Sequence, residues 1–291
     1  YRGVVFNEMK GVYSQPDSLV HRHMSHAMYP DPKYIYGVDS GGDPAHIPDL
    51  SYDEFVNFHK TYYRPSNARI FFFGDDPEDE RLRLVEETIR NLMIEDPDRC
   101  GPLPKPKPPI RPLSDGPGLN LKIPYATEDV DENENQQAEI GQHYAMSGWI
   151  LNEKPFDLEE SITLSIANDL LVGNASSTLY RDLMDSKLGT AFIGGGLSDE
   201  LQQTTFSVGL KGVHEKNCHL IDEIIEKSLK KAVHDGFPME AIHSSVNSTE
   251  FSLLEFNTGG IPRGLSLMLA ANPSWLYNDD PFMHLEMKKA M

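Results

Sequence analysis

The chain has 291 residues, enough for two ordinary domains, and its 39% hydrophobic and 24% charged residues are typical of a soluble globular protein. Its net charge of −19 argues against a nucleic-acid binder, which needs a basic face. The charge is compatible with basic partners, but plain solubility is the favoured explanation. No run of about 18 apolar residues occurs, so the sequence predicts no membrane span. The two cysteines, Cys100 and Cys218, are far apart and disfavour a disulfide framework or a thiolate metal site.

Residues 1–96 are predicted to be mostly helical. Helical patterns cover four stretches: 2–13, 17–28, 51–63 and 81–94. The third begins with Ser51 and has Glu54 three residues later, which is a capping-box pattern. Between the third and fourth patterns, the run ARIFFFGDD at 68–76 is rich in β-forming residues and predicts a buried strand.

Residues 97–137 are predicted to connect two units. Eight prolines between 97 and 118 leave little that could pack, which is typical of a semi-rigid linker. LKIPYA at 121–126 is a possible short strand. The acidic, polar stretch at 128–137 then predicts a loop.

The second unit, 138–291, is predicted to alternate strands and helices. A strand in 138–151 comes first, then helices at 157–173 and 177–186, a pair of strands at 188–198 and 203–213, and helices at 215–237 and 238–257. This order favours the α+β class, with helices packed on an antiparallel sheet.

The stretch GVVFNEMKG at 3–11 carries a glutamate within an apolar pattern. On a helix, Val5, Glu8, Met9 and Val12 share one stripe, which is expected to face a core. A buried carboxylate is costly unless it is protonated, paired with a cation or bound to a metal. Glu8 therefore has a partner elsewhere or lies on a more exposed helix, and these residues alone favour a salt-bridged or exposed glutamate.

Two other clusters contain residues that bind metals in other proteins. His21, His23 and His26 lie close together in HRHMSH, but helical spacing puts His21 and His26 about 140° apart, so a solvated helix face is favoured over a metal site. Asp39 and Asp43 in GVDSGGDP could hold a cation. Since the spacing of a calcium loop is missing there, a structured turn is favoured.

The remaining motifs point to no particular reaction. GDD at 74–76 could place catalytic carboxylates at the end of the predicted strand, or it could cap the helix that follows. GNASSTLYR at 173–181 lacks the lysine and the glycine spacing of a phosphate loop. The chain contains no HExxH, HxxEH or G-x-S-x-G motif.

YRGVVFNEMKGVYSQPDS resembles the pitrilysin/insulinase superfamily of zinc proteases, in particular its presequence protease branch of the plant or algal organellar type. YYRPSNARIFFFGDD, LYRDLMDSKLGTAF and STEFSLLEFNTGGIPRGLSLML extend the resemblance in the same order, over nearly the whole chain except 97–137. The resemblance implies a pitrilysin-like α+β fold, one half of a clam-shell, with two consecutive domains of homologous type. Residues 1–96 would be the C-terminal part of an incomplete first domain, 97–137 a linker, and 138–291 a second domain that is incomplete at its C-terminus.

In that superfamily, two histidines of an HxxEH helix and a later glutamate bind the zinc ion, and Glu8 matches the later glutamate. The resemblance thus implies Zn²⁺ as the partner of Glu8, with the histidines and the general base upstream of this chain. No catalytic residue is expected within the chain itself. The chain is therefore expected to be a central piece that is inactive without the N- and C-terminal portions of the same protein.

The resemblance also implies a function for the complete protein. It would be a zinc metalloendopeptidase that degrades unfolded, basic peptides, such as cleaved targeting presequences, in the mitochondrial matrix or the chloroplast stroma. A non-catalytic member of the superfamily, which serves as a scaffold or a peptide-binding subunit, is the alternative. HxxEH in the upstream sequence would distinguish the two.

Overall fold

The structure is a computed structural model that describes residues 3–102, 109–113, 118–125, 141–255, 258–277 and 280–283. These residues form nine α-helices and a sheet of three strands. The helices are α1 (Val4–Val12), α2 (Pro16–Met28), α3 (Tyr52–Tyr62), α4 (Glu78–Glu95), α5 (Leu158–Val172), α6 (Thr178–Asp185), α7 (Cys218–Asp235), α8 (Met239–Glu255) and α9 (Arg263–Leu276). The strands are β1 (His143–Ile150), β2 (Ala191–Ser198) and β3 (Thr205–Val213). No described helix is both long and apolar enough to cross a membrane.

The sheet has the order β1-β3-β2, and both pairs of neighbouring strands are antiparallel. In β3, Phe206 lies opposite Trp149 of β1, and Leu210 lies opposite Phe192 of β2. The register of β2 shifts between Ile193 and Gly196, where Gly194 has φ +94° and Gly196 has φ +66°. Glycine adopts such positive φ values at little cost, and the irregularity bends the edge strand.

The hydrophobic core lies between one face of the sheet and the helices α6 and α7. Alternate residues of β3 point into it, because successive side chains of a strand face opposite sides. The buried cluster comprises Leu179, Leu183, Phe206, Val208, Leu210, Val213, Ile221 and Ile225. The second unit thus matches the α+β arrangement predicted from its sequence.

Helix α2 packs along the sheet at β1. A Cβ atom at Gly148 would lie 2.3 Å from the terminal carbon of Met28 and 2.9 Å from the sulfur of Met24, so the glycine lets the helix approach the strand closely. Lys211 of β3 forms an ion pair of 2.7 Å with Asp17 of α2. α2 is thereby joined to the unit formed by residues 141–255.

The prediction of a strand at 68–76 is wrong. Residues 68–73 have no regular secondary structure, and residues 74–76 form a bend. A strand needs a partner for its N–H and C=O groups, and the described residues place none beside this segment. Phe73 instead contacts α9, because a Cβ atom at Gly264 would lie 2.7 Å from its side chain. Ile70 and Phe72 remain nearly half exposed. The possible strand at 121–126 is likewise absent over 121–125, and the predicted loop at 128–137 lies outside the described residues.

The apolar stripe of α1 does not face a core. Val5 is 53% exposed and Val12 is 40% exposed, and Glu8 is exposed between them. Within the described part of the chain, Met9 is the one residue of this stripe that is partly buried, and it packs on the turn at Gly41 rather than on a core. The helical period was predicted correctly, but a periodic pattern does not identify what packs against the helix.

Candidate functional site

Glu8 is the one residue of this chain that the sequence assigned to a metal. It lies in the middle of α1, and among the described residues its carboxylate has no ion pair or side-chain hydrogen bond. Those residues also contain no group of three or more His, Cys, Asp or Glu side chains that could hold a metal ion. Since catalytic zinc takes three protein ligands, the described residues do not form a complete catalytic zinc site by themselves.

Contacts with α2 and with the turn that follows it hold α1 in place. Met9, the residue after Glu8, packs on the turn that follows α2, because a Cβ atom at Gly41 would lie 2.3 Å from the Met9 sulfur. At the end of α1, the Arg22 guanidinium lies over the Tyr13 ring, 4.4 Å from its centroid. The direction in which Glu8 points is therefore set by α2 and the turn at 37–44.

Arg22, Asp39, Asp43 and His26 form an ion cluster beside α1. The Nη2 atom of Arg22 lies 2.7 Å from Asp39 Oδ2 and 2.7 Å from Asp43 Oδ2. The Nε2 atom of His26 lies 3.2 Å from Asp39 Oδ1. Asp39 and Asp43 thus bind a cation, as their spacing allowed, but this cation is a guanidinium within a structured turn.

Burial and hydrogen bonding shift several pKa values in and beside the ion cluster. The backbone N–H of Ala45 lowers the pKa of Asp43, and Arg22 lowers it further. Burial acts to lower the pKa of Arg22, but its hydrogen bonds to Asp39 and Asp43 leave that pKa raised. Both shifts favour the charged forms, so the ion pair between Arg22 and Asp43 persists at neutral pH.

The three histidines of α2 do not form one site. His21 is exposed, whereas His26 belongs to the ion cluster. His23 packs edge to face with His26 at a centroid distance of 6.4 Å, and burial together with Arg22 lowers its pKa. Of the three, only His21 is exposed as the sequence prediction of a solvated helix face requires. Sequence reasoning missed Asp39 as a partner of His26, because the two are 13 positions apart.

The two other motifs have structural roles. In GDD, Asp76 Oδ2 accepts a hydrogen bond of 2.7 Å from Arg81 Nε, and the Asp76 carbonyl accepts another of 2.7 Å from the same guanidinium. The carboxylate thus pairs with an arginine of α4 rather than hydrogen bonding the first N–H groups of the helix. In GNASSTLYR, Ser177 Oγ donates to the Asp169 carbonyl at 2.7 Å and fixes the turn between α5 and α6.

Sequence reasoning also missed a group of tyrosines beneath the end of α2. Tyr36 and Tyr277 meet with their hydroxyl oxygens 2.5 Å apart, and the Tyr36 ring packs edge to face with Tyr29. Burial raises the pKa of Tyr29 to about 12, and its hydroxyl has no hydrogen-bond partner among the described residues. Tyr36 and Tyr277 are 241 positions apart along the chain, so no local pattern could reveal this contact.

The architecture of the chain is that of an M16-like peptidase. It aligns with the crystal structure of a peptidase M16 inactive domain from Pseudomonas fluorescens at a TM-score of 0.61 and 15% identity, covering 98% of this chain and 62% of that one. At this identity the likeness shows the fold alone.

The sequence comparisons place the chain within a family. The profile described as the peptidase M16 inactive domain matches residues 49–249, and the chain belongs to this family. It is 44% identical over 98% of its length to presequence protease 1, chloroplastic/mitochondrial, of Arabidopsis thaliana. It is also 33% identical over 99% of its length to the protein HypA of Clostridium perfringens. The chain spans 25% of the first relative and 28% of the second, and the resemblance to the presequence protease branch is confirmed.

Proposed function

We propose that this chain is part of a zinc metalloendopeptidase that degrades unfolded peptides. The observation that carries the proposal is the 44% identity to a plant presequence protease over 98% of the chain. Because the chain spans only 25% of that relative, the active enzyme would be a longer polypeptide. The chain alone is expected to be inactive.

In this proposal Glu8 contributes one carboxylate ligand to the zinc ion. Its exposure on α1 supports this role, since a ligand must be accessible to groups from outside the described residues. The two contacts of Met9 and Tyr13 hold the helix that carries it. The other ligands and the general base would come from upstream portions of the same polypeptide.

The proposed substrates are basic peptides such as cleaved targeting presequences. Targeting peptides are amphipathic and rich in arginine, and a net charge of −19 would attract them over a distance. The name of the Arabidopsis relative supports a location in the mitochondrial matrix or the chloroplast stroma. The proposed organisation is a first domain ending at residue 96, a linker over 97–137 and a second domain from 138.

Cleavage of a quenched, basic presequence-like peptide by the complete polypeptide tests the role of Glu8. The Glu8→Gln variant is expected to lose most activity together with bound zinc, measured by metal analysis. Glu95→Gln, which changes another exposed helical glutamate, is the matched control and should retain both. Full activity and full zinc content in Glu8→Gln would contradict the proposal.

A non-catalytic, peptide-binding subunit is the second candidate, because the matching family profile is described as an inactive domain. In that case the complete polypeptide would bind the same peptide without cleaving it. Glu8→Gln would then leave peptide binding unchanged, and no zinc would be found in either form.

A further inference from the structure

Residues 109–113, PIRPL, contact the second unit through their backbone, and we name this segment the strap. The Arg111 N–H donates a hydrogen bond of 2.8 Å to Gln203 Oε1, and Gln203 Nε2 donates one of 2.8 Å to the Arg111 carbonyl. A primary amide offers a donor and an acceptor together. Gln203 thus pairs with both backbone groups of one residue, as a neighbouring strand would.

The amide of Gln203 also has a hydrogen-bond partner outside the strap. The side chain is 1% exposed, and its Nε2 atom also donates to the Asn152 carbonyl at 2.9 Å. Asn152 is itself 5% exposed, and its Oδ1 accepts a hydrogen bond of 2.7 Å from the Thr204 N–H. The bond to the Asn152 carbonyl restrains the Gln203 side chain, and a side chain that is restrained before it meets its partner loses less entropy on binding.

The side chain of Arg111 and the backbone of Leu113 make further contacts, which indicate the residue types that this surface binds. The Arg111 guanidinium donates to the carbonyls of Ala27, at 3.4 Å, and Met28, where α2 ends. The C-terminal end of a helix attracts cations, so this position favours a basic side chain. Two residues later, the Leu113 N–H donates to Glu153 Oε1 at 2.6 Å.

Ile110, the residue before the arginine, lies in the wall of an apolar cavity. Ile110 is half-buried and lines this open cavity of about 210 Å³ together with Pro109 and residues 35–36, 202 and 276–277. Pro109, Pro112 and Leu113 remain exposed. The strap is therefore bound in the way that a short peptide ligand is bound. Backbone hydrogen bonds and the side chains of Ile110 and Arg111 hold it, although it is not completely buried.

We propose that the surface beneath the strap is a peptide-binding site that the chain fills with its own segment. Its ligand class is an extended, proline-flanked peptide in which an apolar residue precedes an arginine. The site consists of Gln203, Glu153, the last carbonyls of α2 and the cavity beside Ile110. This inference is independent of the proposed peptidase function, because it uses no metal and no residue of α1.

Binding of a free peptide tests the proposal. The probe is acetyl-Pro-Ile-Arg-Pro-Leu with a dye on an added C-terminal lysine, measured by fluorescence anisotropy. The receptor is the 291-residue chain with 109–113 replaced by Gly-Ser-Gly-Ser-Gly. The native chain should bind the probe at least about tenfold more weakly, because its own strap competes at an effective concentration near the millimolar range.

Changes in the probe leave the folding of the receptor untouched. N-methylation of the arginine amide removes the donor to Gln203, and replacement of the arginine by glutamate reverses the charge at the end of α2. Each change should weaken binding about tenfold or more. Equal binding of the N-methylated probe would overturn the proposal, as would no binding by a strap-replaced chain with native circular dichroism and melting behaviour.

A second receptor keeps the test decisive if the replaced chain does not fold. Arg111→Glu leaves the strap in place but removes its contacts with the Ala27 and Met28 carbonyls. This chain should bind the native probe more tightly than the unaltered chain does. If it binds no more tightly, the strap does not occupy a site that the probe can enter, and the proposal fails.

Discussion

Replacement of Arg22 by methionine tests whether the ion cluster holds the helix that carries Glu8. The side chains of Arg22 and Asp39 are 15% and 12% exposed, and that of Asp43 is 31% exposed. The variant keeps much of the side-chain volume but leaves two carboxylates without their guanidinium. Among the described residues, Asp39 would retain His26 and the Tyr13 hydroxyl as partners.

The expected loss of stability lies between two limits. Exposed ion pairs contribute at most about 1 kcal/mol, whereas breaking a fully buried pair costs about 3–5 kcal/mol. Because this cluster is partly buried, we expect Arg22→Met to lower the free energy of unfolding of the α1–α2 region by about 2 kcal/mol. That loss corresponds to roughly thirtyfold faster amide exchange wherever opening of this region limits the rate.

Hydrogen exchange followed by mass spectrometry, on peptides covering residues 3–43, is the assay. Arg83→Met is the matched control, since Arg83 also pairs with two carboxylates, Glu80 and Glu87, but on the exposed face of α4. The control should leave exchange of α2 unchanged. If Arg22→Met also leaves it unchanged, the cluster does not hold these elements together.

Two further variants test the sheet and the tyrosine group. Gly209→Ala would place a Cβ atom 2.1 Å from the Ala145 carbonyl oxygen. We therefore expect this variant to disrupt the pairing of β1 with β3 and to lower the melting temperature. Gly195→Ala is the control, because its Cβ atom would meet no atom within 4 Å, and it should melt much like the native chain. Tyr29 has a folded pKa of about 12, above the unfolded value of 10.0, so its contribution to stability is complete below pH 10 and is lost as pH rises toward 12. Urea titrations at pH 9 and 11 should show a smaller loss of stability at high pH in Tyr29→Phe than in the native chain. The variant should be as stable as the native chain at pH 7, because the Tyr29 hydroxyl has no hydrogen-bond partner among the described residues. A large loss of stability at pH 7 would contradict this account.

Local signals predicted the helices well. Ser51 and Glu54 form the predicted capping box, with Ser51 N donating to Glu54 Oε2 at 2.9 Å. The predicted helix at 157–173 is α5, with Gly173 directly after its last residue. These features depend on residues a few positions apart, which is the range that periodicity and capping patterns describe.

Features that depend on distant residues were not predictable in the same way. Residues 68–73 have the composition of a strand, but composition does not supply the neighbouring strand that a ladder needs. The stripe of α1 predicts a helix without saying what covers it. Likewise, the charge of Asp39 was visible in the sequence, but its pairing with Arg22, 17 positions away, depends on how the turn folds back.

The prolines of the strap limit which of its residues can pair with Gln203. Pro109 and Pro112 have no N–H group, so neither can take the place of Arg111 as the donor. A shift of one position in the other direction would offer the Ile110 N–H, but it would turn the arginine away from the end of α2. A shift of the strap by one position in either direction therefore loses either the N–H donor to Gln203 or the contact of the arginine with the end of α2.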